Sequence, residues 1–271
     1  QTGFPKRRKR LQHTSLLLAG LCIIIGCHSE VKEIHPTSAV DYRQEMRNFV
    51  MELSDYAKNA DSDFLIIPQN GQELITKDGQ ATSPVDIAYL QAIDATGREN
   101  LFYGYEGNNR KTPVEVQQYL LELCQLCEQH KVEVLTTDYC FTPSKIDKSY
   151  SDNKHYGFIS LAESDRELRT IPAYPPVPYK ENEEDVKSIA QAQNFIYLIN
   201  SEKFASKRDF LDAITATNYD IVIMDLYHNE RAFTQSEIYT LKKKQNGHRR
   251  LVIGYMSIGQ AEDYRFYWEP E

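Results

Sequence analysis

The chain has 271 residues, 41% of them hydrophobic and 26% charged, and a formal net charge of −8. That composition excludes a disordered protein and is enough for one large domain or two small ones. The acidic balance argues against a nucleic-acid partner, which requires a basic patch, while tolerating a neutral or cationic ligand.

The first residues stand apart. A basic run, Lys6 to Arg10, precedes the apolar run Leu16 to Ile25 and then Gly26-Cys27. A basic stretch, a short apolar stretch and a small residue before a cut make a secretory leader, short for a transmembrane helix, with an uncleaved anchor as the alternative. Ile24-Ile25-Gly26-Cys27 is similar to a bacterial lipobox, so residues 1–27 read as a lipoprotein signal with Cys27 as the acylated residue. Removing residues 1–26 takes away five cations and moves the net charge to −13. Residues 28–40 are polar and aperiodic, a tether. The expected location is the bacterial cell envelope, with a lipid anchor through Cys27.

From Asp41 to Ala60 an amphipathic helix is expected, with Met46, Phe49, Val50, Leu53, Tyr56 and Ala57 on one stripe. Phe64 to Ile67 is a continuous apolar run, the pattern of a strand buried on both faces, and it ends in Pro68-Gln69-Asn70-Gly71. Ser83-Pro84 opens a helix to about Ile93, and Thr112-Pro113 opens another to about Gln129. Between them Leu101 to Tyr105 reads as a strand ending at Glu106. On that reading Glu99 precedes its strand and belongs at the opposite end.

Val132 to Tyr139 is a strand carrying Asp138. A loop with a short helical piece leads to a strand at 156–161, and Asp165 to Leu168 adds a helical turn. Four prolines between Pro172 and Pro178, followed by acidic residues, exclude a regular element and make 173–193 a linker. Beyond it come a strand at Phe195–Ile199, a helix at Lys207–Thr217 with Phe210, Leu211 and Ile214 inward, and a strand at Ile221–Leu226 bearing Asp225. Thr234 caps a helix to Lys244, and Leu251 to Ile258 is the last strand.

About seven strands alternating with helices imply an α/β fold with a parallel sheet and right-handed crossovers. The number approaches the eight of a (β/α)₈ TIM barrel. No Gly-rich phosphate loop follows any strand, which weakens an open nucleotide-binding sheet. In a barrel the strand ends converge on one mouth. They supply Gln69 and Asn70, Tyr105 and Glu106, Asp138, Asp225 with Tyr227, and Tyr255 and Ser257 with Glu262 and Asp263. Glu106, Asp225 and Asp138 are the candidate catalytic carboxylates; the others are candidate substrate contacts.

No imidazole or thiolate set suggests a metal, no nucleophile elbow appears, and no cofactor is expected. Cys124 and Cys127 have redox spacing but fall mid-helix, where small buried residues are the better reading. Two carboxylates across a mouth with aromatic rings nearby suit glycoside hydrolysis.

Four stretches, FLIIPQNGQEL, AIDATGRENLFYGY, IVIMDL and GYMSIGQAEDYRFYW, resemble the glycoside hydrolase family 114 domain, the endo-α-1,4-polygalactosaminidase group of (β/α)₈ barrels. The resemblance covers most of residues 41–271. It implies an exported enzyme cutting an α-1,4-linked galactosamine polymer with two carboxylates, Glu106 nearest the acid/base position and Asn70, Asp225 and Glu262 along the subsites. The segments stand in permuted order. Residues 41–172 resemble the later half of the barrel and 194–271 its first three strands, as in a circular permutation or an incomplete domain. No residue matches the family's nucleophile Asp on a fourth strand. The chain begins with Gln1, reads as a fragment, and is expected to leave 251–258 at a sheet edge and to be inactive or unstable alone. The competing reading is a non-catalytic carbohydrate-binding surface lipoprotein on a degenerate barrel.

Overall fold

A computed structural model describes residues 40–258. The leader with Cys27, and Glu262 and Asp263, lie outside the described residues. Helix α1 (Tyr42–Ala60) starts where the sequence places it, because the Asp41 carboxylate accepts from the N–H groups of Arg43 and Gln44. Its buried face differs from the expected stripe. Arg47, Val50 and Ser54 are buried, whereas Met46 (48%), Phe49 (42%) and Tyr56 (80%) are exposed. The cause is polar: the Arg47 guanidinium donates to the carbonyls of Leu74 (2.7 Å) and Thr76, satisfying a loop that would otherwise bury bare carbonyls.

Phe64 to Ile67 does not form a ladder strand. The segment runs extended beside the next strand, held by Asp94 N–H to Ile66 O (2.9 Å), Gly97 N–H to Pro68 O (2.9 Å) and Asn70 N–H to Gly97 O (2.8 Å). Helix α2 (Ile87–Ala92) is capped by Asp86, not by the expected Ser83.

Strand β1 is Ala95–Glu99, ahead of the expected 101–105. Leu101, Phe102 and Tyr103 are buried as their apolar character demands, but within a loop. Both oxygens of Asp138 explain why. Oδ1 accepts from the N–H groups of Phe102 (2.8 Å) and Tyr103 (3.1 Å), and Oδ2 from Ser149 Oγ (2.7 Å) and Asn153 Nδ2 (3.2 Å). Amides claimed by a carboxylate cannot join a ladder.

Helix α3 (Val114–Gln129) follows, without a side-chain cap, since Thr112 Oγ1 donates to Asn100 O instead. Then come β2 (Glu133–Tyr139), α4 (Pro143–Tyr156) and β3 (Ile159–Glu163). The helix is longer than the short piece expected, and Tyr156 belongs to it rather than to the strand. Gly157 closes it at φ 88°, the left-handed region.

Residues 164–194 hold only a 3₁₀ turn at Ile189–Gln191. This stretch lacks regular structure, as its prolines dictate, yet it is packed. Tyr179 stacks on Tyr150 at 4.4 Å, Val186 is buried with its N–H on Arg249 O, and Asn182 donates to Asp220 Oδ2 (2.8 Å).

The remainder is β4 (Phe195–Leu198), α5 (Lys207–Thr215), β5 (Ile221–Asp225), the hairpin of β6 (Tyr227–His228) and β7 (Arg231–Ala232), α6 (Gln235–Leu241) and β8 (Leu251–Tyr255). Phe210, Leu211 and Ile214 face inward as expected. Thr234 and Glu237 form a reciprocal capping box on α6.

Two parallel sheets result, ordered β1-β2-β3 and β4-β5-β8. The protein is therefore α/β with parallel strands joined through helices. β8 is an outer strand among the described residues, as the sequence suggested. β3 and β4 are neighbours without a ladder. Ala162 N–H donates to the Tyr150 hydroxyl (3.2 Å) rather than to a strand.

One face of both sheets feeds a single apolar cluster containing Ala95, Leu135, Ile159, Leu161, Phe195, Tyr197 and Ile221. The opposite faces pack on the helices in two further clusters. Among the described residues no helix is long and apolar enough to cross a membrane.

Candidate functional site

Strand side chains alternate faces, and partners in a parallel register share one. Ala95 lies in the shared interior cluster, so Glu99, two steps of two along β1, faces the same interior at the strand's C-terminal end. The same parity brings Tyr139 of β2, Glu163 of β3, and Asp225 and Tyr255 of β5 and β8 to that end.

Glu99 is the best-connected of these. Its Oε1 accepts from the Tyr139 hydroxyl at 2.5 Å and its Oε2 from Asn70 Nδ2 at 3.0 Å, while Asn70 Oδ1 accepts from Glu99 N–H at 3.0 Å. Asn70 reaches back because it sits in the left-handed region, φ 62°. Gln69 lies across β1 at Gly97, where any Cβ would overlap its Oε1. Thus Asn70 belongs to the site and Gln69 lies beside it.

Burial, and then the charge of Glu99, holds the Tyr139 phenol far above the ordinary tyrosine range. Tyr197 is raised by burial, with smaller contributions from Tyr255 and Glu99. Tyr197 and Tyr255 have ring centroids 6.2 Å apart.

Over this group lies Arg166, from the segment after β3. Its Cζ is 4.2 Å from the Tyr139 ring centroid. Nη2 donates to Asn100 Oδ1 (2.9 Å) and Gly104 O, and Nε to Asn108 Oδ1 (2.5 Å).

On the other sheet, Asp225 Oδ1 accepts from Tyr227 N–H at 2.9 Å, which turns the chain at the end of β5. Tyr227, Tyr255 and Ser257 are half-buried.

Two expected carboxylates stand elsewhere. Glu106 is 54% exposed at its side chain, on the turn of 104–110, with Arg110 Nη1 3.8 Å away. Its neighbour Tyr105 is exposed and lines an outer groove with Arg98 and Tyr119. The displacement follows from the strand shift: with β1 ending at Glu99, Glu106 falls seven residues beyond it. Glu99, expected at the opposite end, is the strand-end acid. Asp138 is wholly buried on the helix-facing side of β2, and its oxygens are occupied by the four donors named above.

The sequence alone does not single out Glu163. It is fully buried beside Tyr139 in the register. Oε1 accepts from the N–H groups of Ser164 (2.7 Å) and Asp165 (3.0 Å), while Oε2 has no hydrogen-bond partner. Burial outweighs these bonds and pushes its carboxyl up to about 7. The one signal for it in the sequence is an acid closing the apolar run ISLAE at strand parity.

Among the described residues no cluster of His, Cys, Asp and Glu could hold a metal ion. Cys124, Cys127 and Cys140 are free and buried, and burial raises the thiols of Cys124 and Cys140 to about 12. They are packing residues, as expected for the first two. Chemically, the site offers a carboxylate fixed at both oxygens, further interior-facing acids and a set of tyrosines: equipment for proton transfer to or from a hydroxylated ligand.

No family model matches the chain. It is 29% identical over 134 residues to the uncharacterized protein MJ1477 of Methanocaldococcus jannaschii, covering 46% of this chain and 36% of that protein. It is 33% identical over 102 residues to an uncharacterized protein of Deinococcus radiodurans, covering 38% of this chain and 30% of that one. The chain thus spans about a third of the length of the curated relatives it matches.

Proposed function

We propose that this chain carries the mouth of a glycoside hydrolase acting on an amino-sugar polysaccharide, and that Glu99, not Glu106, is its acid/base carboxyl. On this reading the two parallel sheets belong to a (β/α)₈ barrel of the family 114 kind, in permuted order, exported and lipid-anchored through Cys27. The observation that carries it is the Glu99 arrangement: a half-buried carboxyl at a strand's C-terminal end, gripped by Tyr139 and Asn70, on the same interior as Asp225. Glycoside hydrolysis needs one carboxyl to move a proton on the leaving oxygen and another across the sugar. Asp225 supplies a second acid on that interior. The surrounding tyrosines present ring faces and hydroxyls to sugars, and the acidic charge suits a cationic polymer.

The test is Glu99→Gln in the intact protein, assayed on α-1,4-linked galactosamine oligomers. Turnover should fall by about 10²–10⁴-fold with oligomer binding retained, while Glu106→Gln should leave both unchanged. Undiminished turnover in Glu99→Gln would refute the assignment. Binding without any cleavage by the unaltered intact protein, with its missing strand supplied, would select the carbohydrate-binding lipoprotein instead.

A further inference from the structure

We infer that Arg166 is the positioning residue of the Glu99–Tyr139 pair. An exposed arginine is ordinarily a solvated charge of little consequence. This one is tied to the loop after β1 at three acceptors: Asn100 Oδ1, Gly104 O and Asn108 Oδ1. Asn108 returns the link, donating from Nδ2 to Ser164 O at 3.1 Å. The segment after β3 is thereby fastened across β2 to the loop after β1. Between the two lies the Tyr139 ring, under the guanidinium at 4.2 Å.

The backbone is shaped for this contact. Gly104 has φ 116°, and a Cβ there would meet Asn100 Oδ1, Arg166 Nη2 and Tyr139 Cβ. The planar fork of arginine reaches several acceptors while lying flat on a ring, which an ammonium cannot do. With Arg166 in place the Tyr139 ring is held from above and its hydroxyl meets Glu99 Oε1. The interior cluster still packs the buried Tyr139 ring, but without Arg166 its outer face loses its cover, and the hydroxyl's alignment on the carboxyl, one of the two fixing donors, is loosened. The guanidinium bonds to the loop and lies on the ring, not on the carboxyl, so Arg166 acts on Glu99 through Tyr139.

The catalytic consequence rests on the reading of Glu99 as the working carboxyl; the hydrogen bond does not. The first measurement is therefore independent of turnover: the hydroxyl proton of Tyr139 observed by NMR in the intact protein, assigned by its loss in Tyr139→Phe. Arg166→Gln should move that resonance upfield and speed its exchange with water by about tenfold or more. Arg166→Lys should recover part of the effect, and thermal melts of both variants report whether the fold is kept. An unchanged resonance and exchange rate in a folded Arg166→Gln would overturn the inference. On galactosamine oligomers, Arg166→Gln should lower kcat on the order of ten- to a hundredfold with KM little changed, again partly restored by lysine. A loss confined to KM would overturn the positioning role in favour of direct ligand binding. If the NMR change is found in a protein that cleaves no oligomer, the glycosidase reading fails and the positioning inference stands.

Discussion

Replacing Glu163 by glutamine should change how stability depends on pH. In the folded protein its carboxyl keeps its proton up to about 7, against an ordinary value of 4.5. Between those values the folded state binds a proton that the unfolded state has released. Stability therefore falls as pH rises through this window and is level above it. At about 1.4 kcal/mol per tenfold change in proton affinity, the fall attributable to Glu163 is about 3 kcal/mol. Glutamine does not titrate. Its carbonyl can still accept from Ser164 and Asp165, but an amide hydrogen bond is left unmade where Oε2 was, so the variant starts less stable at low pH. Glu128, also raised by burial to about 7, contributes equally to both proteins and cancels. Urea unfolding of the two proteins from pH 4.5 to 8 gives the difference directly: Glu163→Gln should gain about 3 kcal/mol on the parent across that range. Two parallel profiles would refute the argument and mean that Glu163 ionises in the fold as freely as in the unfolded chain.

Truncating Asp138 to alanine strips an acceptor from four buried donors and should cost about 3 kcal/mol or more, seen as a lowered Tm; Asp138→Asn should cost less, since one oxygen remains. Lys244→Met should be destabilising by about 3–5 kcal/mol. It strands the wholly buried Asp220, whose Oδ1 has no aligned hydrogen bond but lies 2.5 Å from the Lys244 ammonium. Asp220→Asn in the same background should recover part of that loss in urea unfolding.

Much of the α/β succession is legible because its signals are local. The Asp41 and Thr234 caps, the inward triplet of α5 and the apolar runs of β4, β5 and β8 all depend on near neighbours in sequence. The failures share a different cause. Phe102 and Tyr103 are apolar enough for a strand, and only a carboxylate 35 and 36 residues away diverts their amides. The strand that does form, ATGRE, has little apolar character, because its outward Arg98 is held by Gln72 and its inward Gly97 makes room for Gln69. α1 likewise buries Arg47 instead of Met46 to serve carbonyls 27 to 30 residues on. The site inherits these errors. Misplacing one strand puts Glu106 at the mouth and sends Glu99 to the wrong end. Asn70 and Asp225, by contrast, follow apolar runs whose ends are marked locally.

The missing ladder between β3 and β4 has a mechanical meaning. Each sheet carries its own hydrogen-bond ladders and none crosses between them, so the two resemble stiff plates fastened side by side with rivets instead of a weld. The rivets are side chains of the connecting segment, Tyr179 on Tyr150 of the first unit and Asn182 on Asp220 of the second, together with the shared apolar interior. Arg166 and Glu99 both ride on the first plate, and Asp225 rides on the second. The spacing between the acids is thus set across the joint, and small adjustments there would alter their separation while leaving every strand intact.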